Sequence, residues 1–384
     1  MAEIGIDFLT EFLDEKYLKE FIAAGGSKMK FITGRPGSGK SFLLNDLSKR
    51  ASGDGYVTVS FSAKDVWLHD FREIYLEILR QCDFEELLRG CAQSIVREMG
   101  FEDYTVGTQN TFMDYLSGIG SADPLTKREI RNQLRTLIQD NPHMDNNFAY
   151  TISLLVGDIL GHPALEEQDK TLLTGWLNGD KTIKLSLLRA LGLAPMRITK
   201  FNARHMLRSL AEMAHIAGRP GIFVAVDDLD ILINRSSLEA IRYTKMRRED
   251  TYESIRQMID EIDTMHYMMF VFAFDRALID NENFGLKSYQ ALWMRIQNEV
   301  VGQRFNRFAD IIDMDRLAKQ IYTPQLMIEL SEAFVRRQEA GSAAVLTEDQ
   351  VRDCLSRFAV SNVGLPAMIR EWTFRREEGS AEYV

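Results

Sequence analysis

The chain has 384 residues, 45% of them apolar, and a formal net charge of −10. That is enough apolar material for two to three domains, or for one domain with a large insertion and an appended piece, and it excludes global disorder. The acidic balance argues against whole-surface nucleic-acid binding and leaves a local basic patch open.

The first stretch, MAEIGIDFLTEFLDEKYL, is acidic and amphipathic, without a basic start or a continuous apolar core, so it does not read as a signal peptide. Phe8, Leu9, Phe12, Leu13, Leu18, Phe21 and Ile22 predict a helix over 6–23. Gly25-Gly26 leads into a strand at 29–33, a glycine-rich loop, and a helix starting near Lys40 with Phe42, Leu43, Leu44 and Leu47 on its apolar face. YVTVSFSA (56–63) reads as a second strand. From 64 to 200 nearly every segment has apolar residues at helical spacing, punctuated by turns such as GIGSADP and DNPH. The expectation is an all-helical insertion. A helix at 202–217 precedes the strand IFVAV (222–226). A loop and helix over 234–263 precede YMMFVFAF (267–274), a continuous apolar run suited to a parallel strand buried on both faces. A helix near 288–300 and a fifth strand in FADIIDM (308–314) follow. The remainder, 316–384, reads as helical, with a loop at 339–347.

Strands alternating with helices imply a parallel α/β sheet. The expected division is 1–63 and 201–315 as the two parts of one core, 64–200 as the insertion, and 316–384 as a C-terminal helical lid. No apolar run approaches ~18 residues, so no membrane span is expected. Cys82, Cys91 and Cys354 match no metal spacing and suggest buried thiols in a reducing cytosol.

Residues 34–41 read GRPGSGKS and fit G-x-x-x-x-G-K-[ST] at every fixed position. The glycines let the backbone turn its N–H groups around a phosphate, and the following helix aims its positive end at the same place. Lys40 would reach the β- and γ-phosphates and the Ser41 hydroxyl would bind Mg²⁺. Gly34, Arg35, Pro36, Gly37, Ser38, Gly39, Lys40, Ser41 and Phe42 therefore form the expected ATP-binding set. An acidic partner is needed at the end of a neighbouring strand. IFVAVDD supplies Asp227 as the second Mg²⁺ ligand, and Asp228 as the residue that polarises the attacking water. Glutamate is commoner at position 228, which puts fast turnover in question. Asp230 reads as a helix cap or a solvated carboxylate. Asp275, ending the 267–274 strand, reads either as a polar group between the acids and the γ-phosphate or as a surface turn. Arg304 and Arg307, before the fifth strand, are arginine-finger candidates, a role that requires a homo-oligomer. In GLPAMIR, Arg370 is the candidate lid arginine. The basic run Arg242, Lys245, Arg247 and Arg248 reads as a charged loop before it reads as a DNA contact. The six histidines are scattered without pairing, and no metal spacing, serine elbow or dinucleotide fingerprint appears.

The absence of N-K-x-D argues against a GTPase and the absence of L-S-G-G-Q against a transporter cassette. The core plus lid fits an AAA+-like P-loop ATPase. FIAAGGSKMKFITGRPGSGKSFLL, LHDFREIYLEIL, and the run from GWLNGDKTIKLSLL to GRPGIFVAVDDLDIL resemble the ATP-binding protein family of BREX-type phage-defence loci. DTYESIRQMIDEID and GLKSYQALWMRI are also similar to that family. The resemblance implies a prokaryotic cytoplasmic ATPase working with a helicase- or nuclease-like partner, with DNA open as a further one. The family usually has glutamate where this chain has Asp228, and often arginine where it has Ala367. Three functions follow as alternatives: a nucleotide-driven switch or motor, a slow or non-hydrolysing ATP-binding scaffold, and a small-molecule kinase, for which no acceptor signature is seen.

Overall fold

The computed structural model of the chain describes residues 6–107, 110–233, 241–301, 305–336 and 343–374. Five strands form one parallel sheet: β1 Ser27–Gly34, β2 Val57–Ser62, β3 Ile222–Asp227, β4 Met268–Asp275 and β5 Ile311–Asp313. Their order across the sheet is β2-β3-β4-β1-β5. β1 and β4 pair along their whole length, from Ser27 opposite Met268 to Gly34 opposite Asp275. The loop that follows β1 therefore opens beside the end of β4, with β3 one strand further out.

Side-chain alternation explains the apolar runs. Along β4, Met268, Phe270, Phe272 and Phe274 enter one core, while Met269, Val271 and Ala273 enter a second. Only a strand covered on both faces tolerates such a run. β3 follows the same rule, with Val224 and Val226 on the first face and Phe223 and Ala225 on the other.

Helix α1 Asp7–Leu13 runs into a wider-wound stretch, Asp14–Ile22, and α2 Lys40–Gly53 follows the glycine-rich loop. Between β2 and β3 lie α3 Phe71–Gln81, α4 Phe84–Glu98, α5 Phe112–Gly118, α6 Pro124–Leu134, α7 Asn146–Leu160, α8 Glu167–Leu177, α9 Leu185–Ala190 and α10 Ala203–Ile216. α11 Lys245–Glu261 precedes β4, and α12 Ala277–Asp280 and α13 Gln290–Val301 precede β5. α14 Met314–Ile321, α15 Pro324–Arg336, α16 Glu348–Phe358 and α17 Leu365–Phe374 complete the described chain.

The helices between β2 and β3 do not build a core of their own. Tyr75, Ile95, Phe148 and Leu207 join Phe31, Val224 and Phe270 in one buried cluster on the first face of the sheet. Aspartates start several of these helices: Asp70, Asp83, Asp123 and Asp145 each accept first-turn N–H groups. Each such cap contributes about 1 kcal/mol. The second face carries Leu9, Leu13, Leu18, Leu43, Leu47 and Leu317. α15, α16 and α17 close a third, small core around Met327, Leu330, Val351, Phe358 and Ile369.

The strand expected at 308–314 is shorter at both ends: residues 308–310 lie in a turn, where Asn306 Oδ1 accepts the Phe308 N–H at 3.0 Å, and Asp313 ends the strand and starts a helix. Its carboxylate accepts the N–H groups of Asp315 and Arg316 at 3.1 and 3.2 Å, capping α14. Among the described residues no helix is long and apolar enough to cross a membrane.

Candidate functional site

The loop after β1 turns through Gly37 and Gly39, whose φ angles of 76° and 98° are open to glycine at little cost. Lys40, the first residue of α2, folds back over it. Its Nζ donates to Gly34 O and Arg35 O at 3.0 Å each and to Asp275 Oδ1 at 2.5 Å. Its side chain is only 10% exposed, so the carboxylate neutralises a nearly buried charge. Ser38 Oγ is buried and has no hydrogen-bond partner among the described residues. Ser41, next in α2, is exposed.

Acidic residues end β4 and, one strand further out, β3. Asp227 closes β3, and its Oδ1 accepts the Asp228 N–H at 2.8 Å. Asp228 sits at φ 59°, an uncommon conformation for a side-chain-bearing residue and one that aspartate tolerates better than most. Its carboxylate is held from the β2 side, by Ser62 Oγ at 2.7 Å and Lys64 Nζ at 2.8 Å. Burial works to raise its pKa. Hydrogen bonds from Lys64 and Ser62, with the charges of Lys64 and Lys40, outweigh burial and hold it below the ordinary aspartate value. β2 flanks β3 on the side away from β1, so these contacts draw Asp228 away from the loop.

Asp230, read from sequence as a cap or a solvated group, is neither. Its Oδ1 accepts the Asp275 N–H at 3.0 Å, and burial, with the negative charges of Asp275 and Asp228, raises its pKa. Asp275 therefore belongs to a carboxylate cluster around Lys40 and is not a surface turn. The donors at Ser41 and Asp227 are oxygens, which suits a hard cation such as Mg²⁺.

The C-terminal helices reach the same place. Gly364 N–H donates to Pro36 O at 2.8 Å and Ala367 N–H to Gly37 O at 3.2 Å, setting the start of α17 on the loop. A Cβ on Gly364 would lie 2.4 Å from Ser38 N and Cα, so only glycine allows this approach. Arg35 braces the contact. Its N–H donates to Asp315 Oδ2 at 2.9 Å and its guanidinium to Phe358 O at 2.8 Å, over the Phe358 ring. A cavity of about 300 Å³ lies between the loop and the start of α17, lined by Lys40, Ser41, Phe42, Pro366, Ala367 and Arg370 among others. Of the expected set, Gly37, Gly39, Lys40, Ser41, Phe42 and Arg370 line this cavity, while Asp227 and Asp228 stand at the end of the strand beyond β4. The bracing role of Arg35 was not legible in a motif that treats its position as variable.

Arg307 is exposed and stacks over Phe12 and Phe308, 4.6 and 5.5 Å from their ring centroids. Arg304 lies outside the described residues. In the basic run, Arg247 covers Trp67, Arg248 covers Phe284, and Lys245 lies 3.8 Å from Glu249. These local contacts occupy the basic side chains, but Lys245, Arg247 and Arg248 lie in the first turns of α11 and not in the expected loop. A larger cavity, about 530 Å³, lies within the helical insertion, lined by Arg72, Trp176, Lys181 and Lys200 among others. Its greater size does not make it the site, since the expected phosphate-binding loop, residues 34–41, does not line it. The expectation of unpaired histidines is corrected by the fold: the rings of His143 and His266 meet at 4.1 Å, beside Glu212.

A parallel α/β sheet with a glycine-rich loop at one strand end, a lysine starting the next helix and acids on neighbouring strand ends is consistent with a P-loop ATPase fold. The chain belongs to the family described as BREX system ATP-binding protein BrxC/D, whose sequence profile matches residues 3–362. Among curated proteins, no match is found. ATP is thus the ligand that family membership attaches to the chain.

Proposed function

We propose that the chain is an AAA+-like ATPase acting as a nucleotide-driven switch or motor in a prokaryotic anti-phage assembly. The observation that carries this reading is the docking of α17 on the loop. Gly364 and Ala367 are hydrogen-bonded to the loop's own carbonyls, and Arg370 lines the cavity shared with Lys40 and Ser41. A ligand entering between loop and lid changes both at once. ATP would place its phosphates against the 37–41 backbone N–H groups, and Lys40 would exchange the Asp275 carboxylate for phosphate oxygens. Ser41 and Asp227 would hold Mg²⁺, which would screen the phosphate charge. Asp228, once freed from Lys64, would polarise water. Lid movement would then alter the face offered to a helicase- or nuclease-like partner or to DNA. A cytoplasmic setting follows from the resemblance. If Arg307 or Arg304 acts on a neighbouring copy's nucleotide, turnover per subunit rises with protein concentration, and a flat profile removes that role.

A second reading, a slow or non-hydrolysing ATP-binding scaffold, has one specific support: both Asp228 oxygens are engaged by Ser62 and Lys64. An ATPase assay with and without single- and double-stranded DNA, on the wild type and Lys40→Ala, separates the two. Turnover lost in Lys40→Ala supports the switch. ATP binding without measurable turnover under every condition supports the scaffold.

A further inference from the structure

We propose that His143, Glu212 and His266 form a binding site for a divalent transition-metal ion of the zinc type, remote from the nucleotide site. Two imidazoles and a carboxylate are the donor set such an ion takes with an open fourth position. The three residues come from the turn before α7, from α10 and from the residues leading into β4, and their ligand atoms all lie within 4.8 Å of one another. Tetrahedral zinc at about 2.05 Å from each donor needs donors about 3.3 Å apart, so small side-chain rotations suffice. His266 Nδ1 already lies 3.0 Å from Glu212 Oε1.

The charge balance argues for a cation. The Glu212 side chain is 6% exposed, and among the described residues its one ion-pair partner is His266. A carboxylate that buried needs a compensating charge. Its second oxygen accepts from Asn141 Nδ2 at 3.3 Å, which orients it as an outer-shell partner does. Asn141 Oδ1 also accepts the His143 N–H at 2.9 Å, and Arg208 Nε donates to His143 O at 2.8 Å, fixing the backbone of the third ligand. The thiols do not compete, since burial pushes Cys82 and Cys91 up to about 12 and Cys354 up to about 11. His266 precedes β4 and Asp275 ends it, so the site lies roughly 25 Å from Lys40 at about 3.3 Å per strand residue. Its work is to pin the helical insertion to the base of the sheet, not to take part in phosphate chemistry.

The test uses the full chain, stripped with chelator, without nucleotide and in excess Mg²⁺ to occupy any hard-cation site. Co²⁺ should bind one equivalent per chain with visible d–d absorption, Zn²⁺ should displace it, and Zn²⁺ should raise the melting temperature. His143→Gln and His266→Gln should weaken Zn²⁺ binding by about tenfold or more and remove the thermal gain. Glu212→Gln preserves volume and the Asn141 contact, and decides the matter if a histidine variant fails to fold. It should lose Zn²⁺ binding without losing metal-free stability. Stripped wild type that takes up no stoichiometric Co²⁺, or variants that bind Zn²⁺ as tightly as wild type, overturn the site.

Discussion

Asp275 Oδ1 lies 2.5 Å from Lys40 Nζ, and the same ammonium donates to Gly34 O and Arg35 O. The one lysine of the phosphate motif is therefore committed to a carboxylate at the end of the adjacent strand. A phosphate must compete with that carboxylate and is repelled by it. Asp275→Asn keeps a polar group there and removes the competition. We expect ATP to bind about three- to tenfold more tightly to this variant, with the gain shrinking as salt rises. Unchanged or weaker binding in calorimetry would mean that Asp275 serves the bound state instead.

The clamp on Asp228 makes an opposite pair of expectations. Asp228→Asn should lower turnover by about tenfold or more while leaving ATP affinity intact, as loss of a water-polarising base does. Lys64→Ala should raise turnover, because it releases one oxygen of the same carboxylate. Equal rates in wild type and Asp228→Asn would favour the scaffold reading.

Gly364 tests the lid. In Gly364→Ala the new methyl would press on the Ser38 backbone at 2.4 Å, where neither side can yield cheaply. The start of α17 should lift from the loop. Hydrogen exchange should quicken over 364–374, and ATP affinity should fall while the sheet keeps its protection. Unchanged exchange there would show that the lid contact adds little.

These contacts also mark what the sequence makes legible. The loop, the apolar strand runs and the alternation of strand and helix are local patterns, and residues 34–41, 222–228 and 267–275 carry them in full. The sheet order follows only from pairing, and pairing brings Asp275 to Lys40 and Asp230 to Asp275. Asp313 looks like the end of a strand in an apolar run, and its capping role shows only when Asp315 and Arg316 turn their N–H groups toward it. His143, Glu212 and His266 stand far apart in the chain, each unremarkable alone. Position 35 of the motif carries no chemical rule, yet Arg35 ties the loop to Asp315 and Phe358.

Asp230 links the site to stability. Its folded pKa is raised above the unfolded value, chiefly by burial. Ionisation therefore costs stability above the folded pKa, and the cost vanishes below the unfolded value of about 3.9. Asp230→Asn keeps an oxygen to accept the Asp275 N–H. Its melting temperature should exceed that of the wild type at pH 7, and the gap should close as the pH falls below about 4. A gap that is constant across that range would rule out the charge as its cause.

The central claim is that ATP binds between the 34–41 loop and the lid, held by Lys40. Calorimetric titration of Mg²⁺·ATP into wild type and Lys40→Ala tests it most directly. The wild type should bind one ATP per chain, and Lys40→Ala should bind it about a hundredfold more weakly, the scale of a lost charge-assisted contact. Equal affinity in the folded variant would contradict the site.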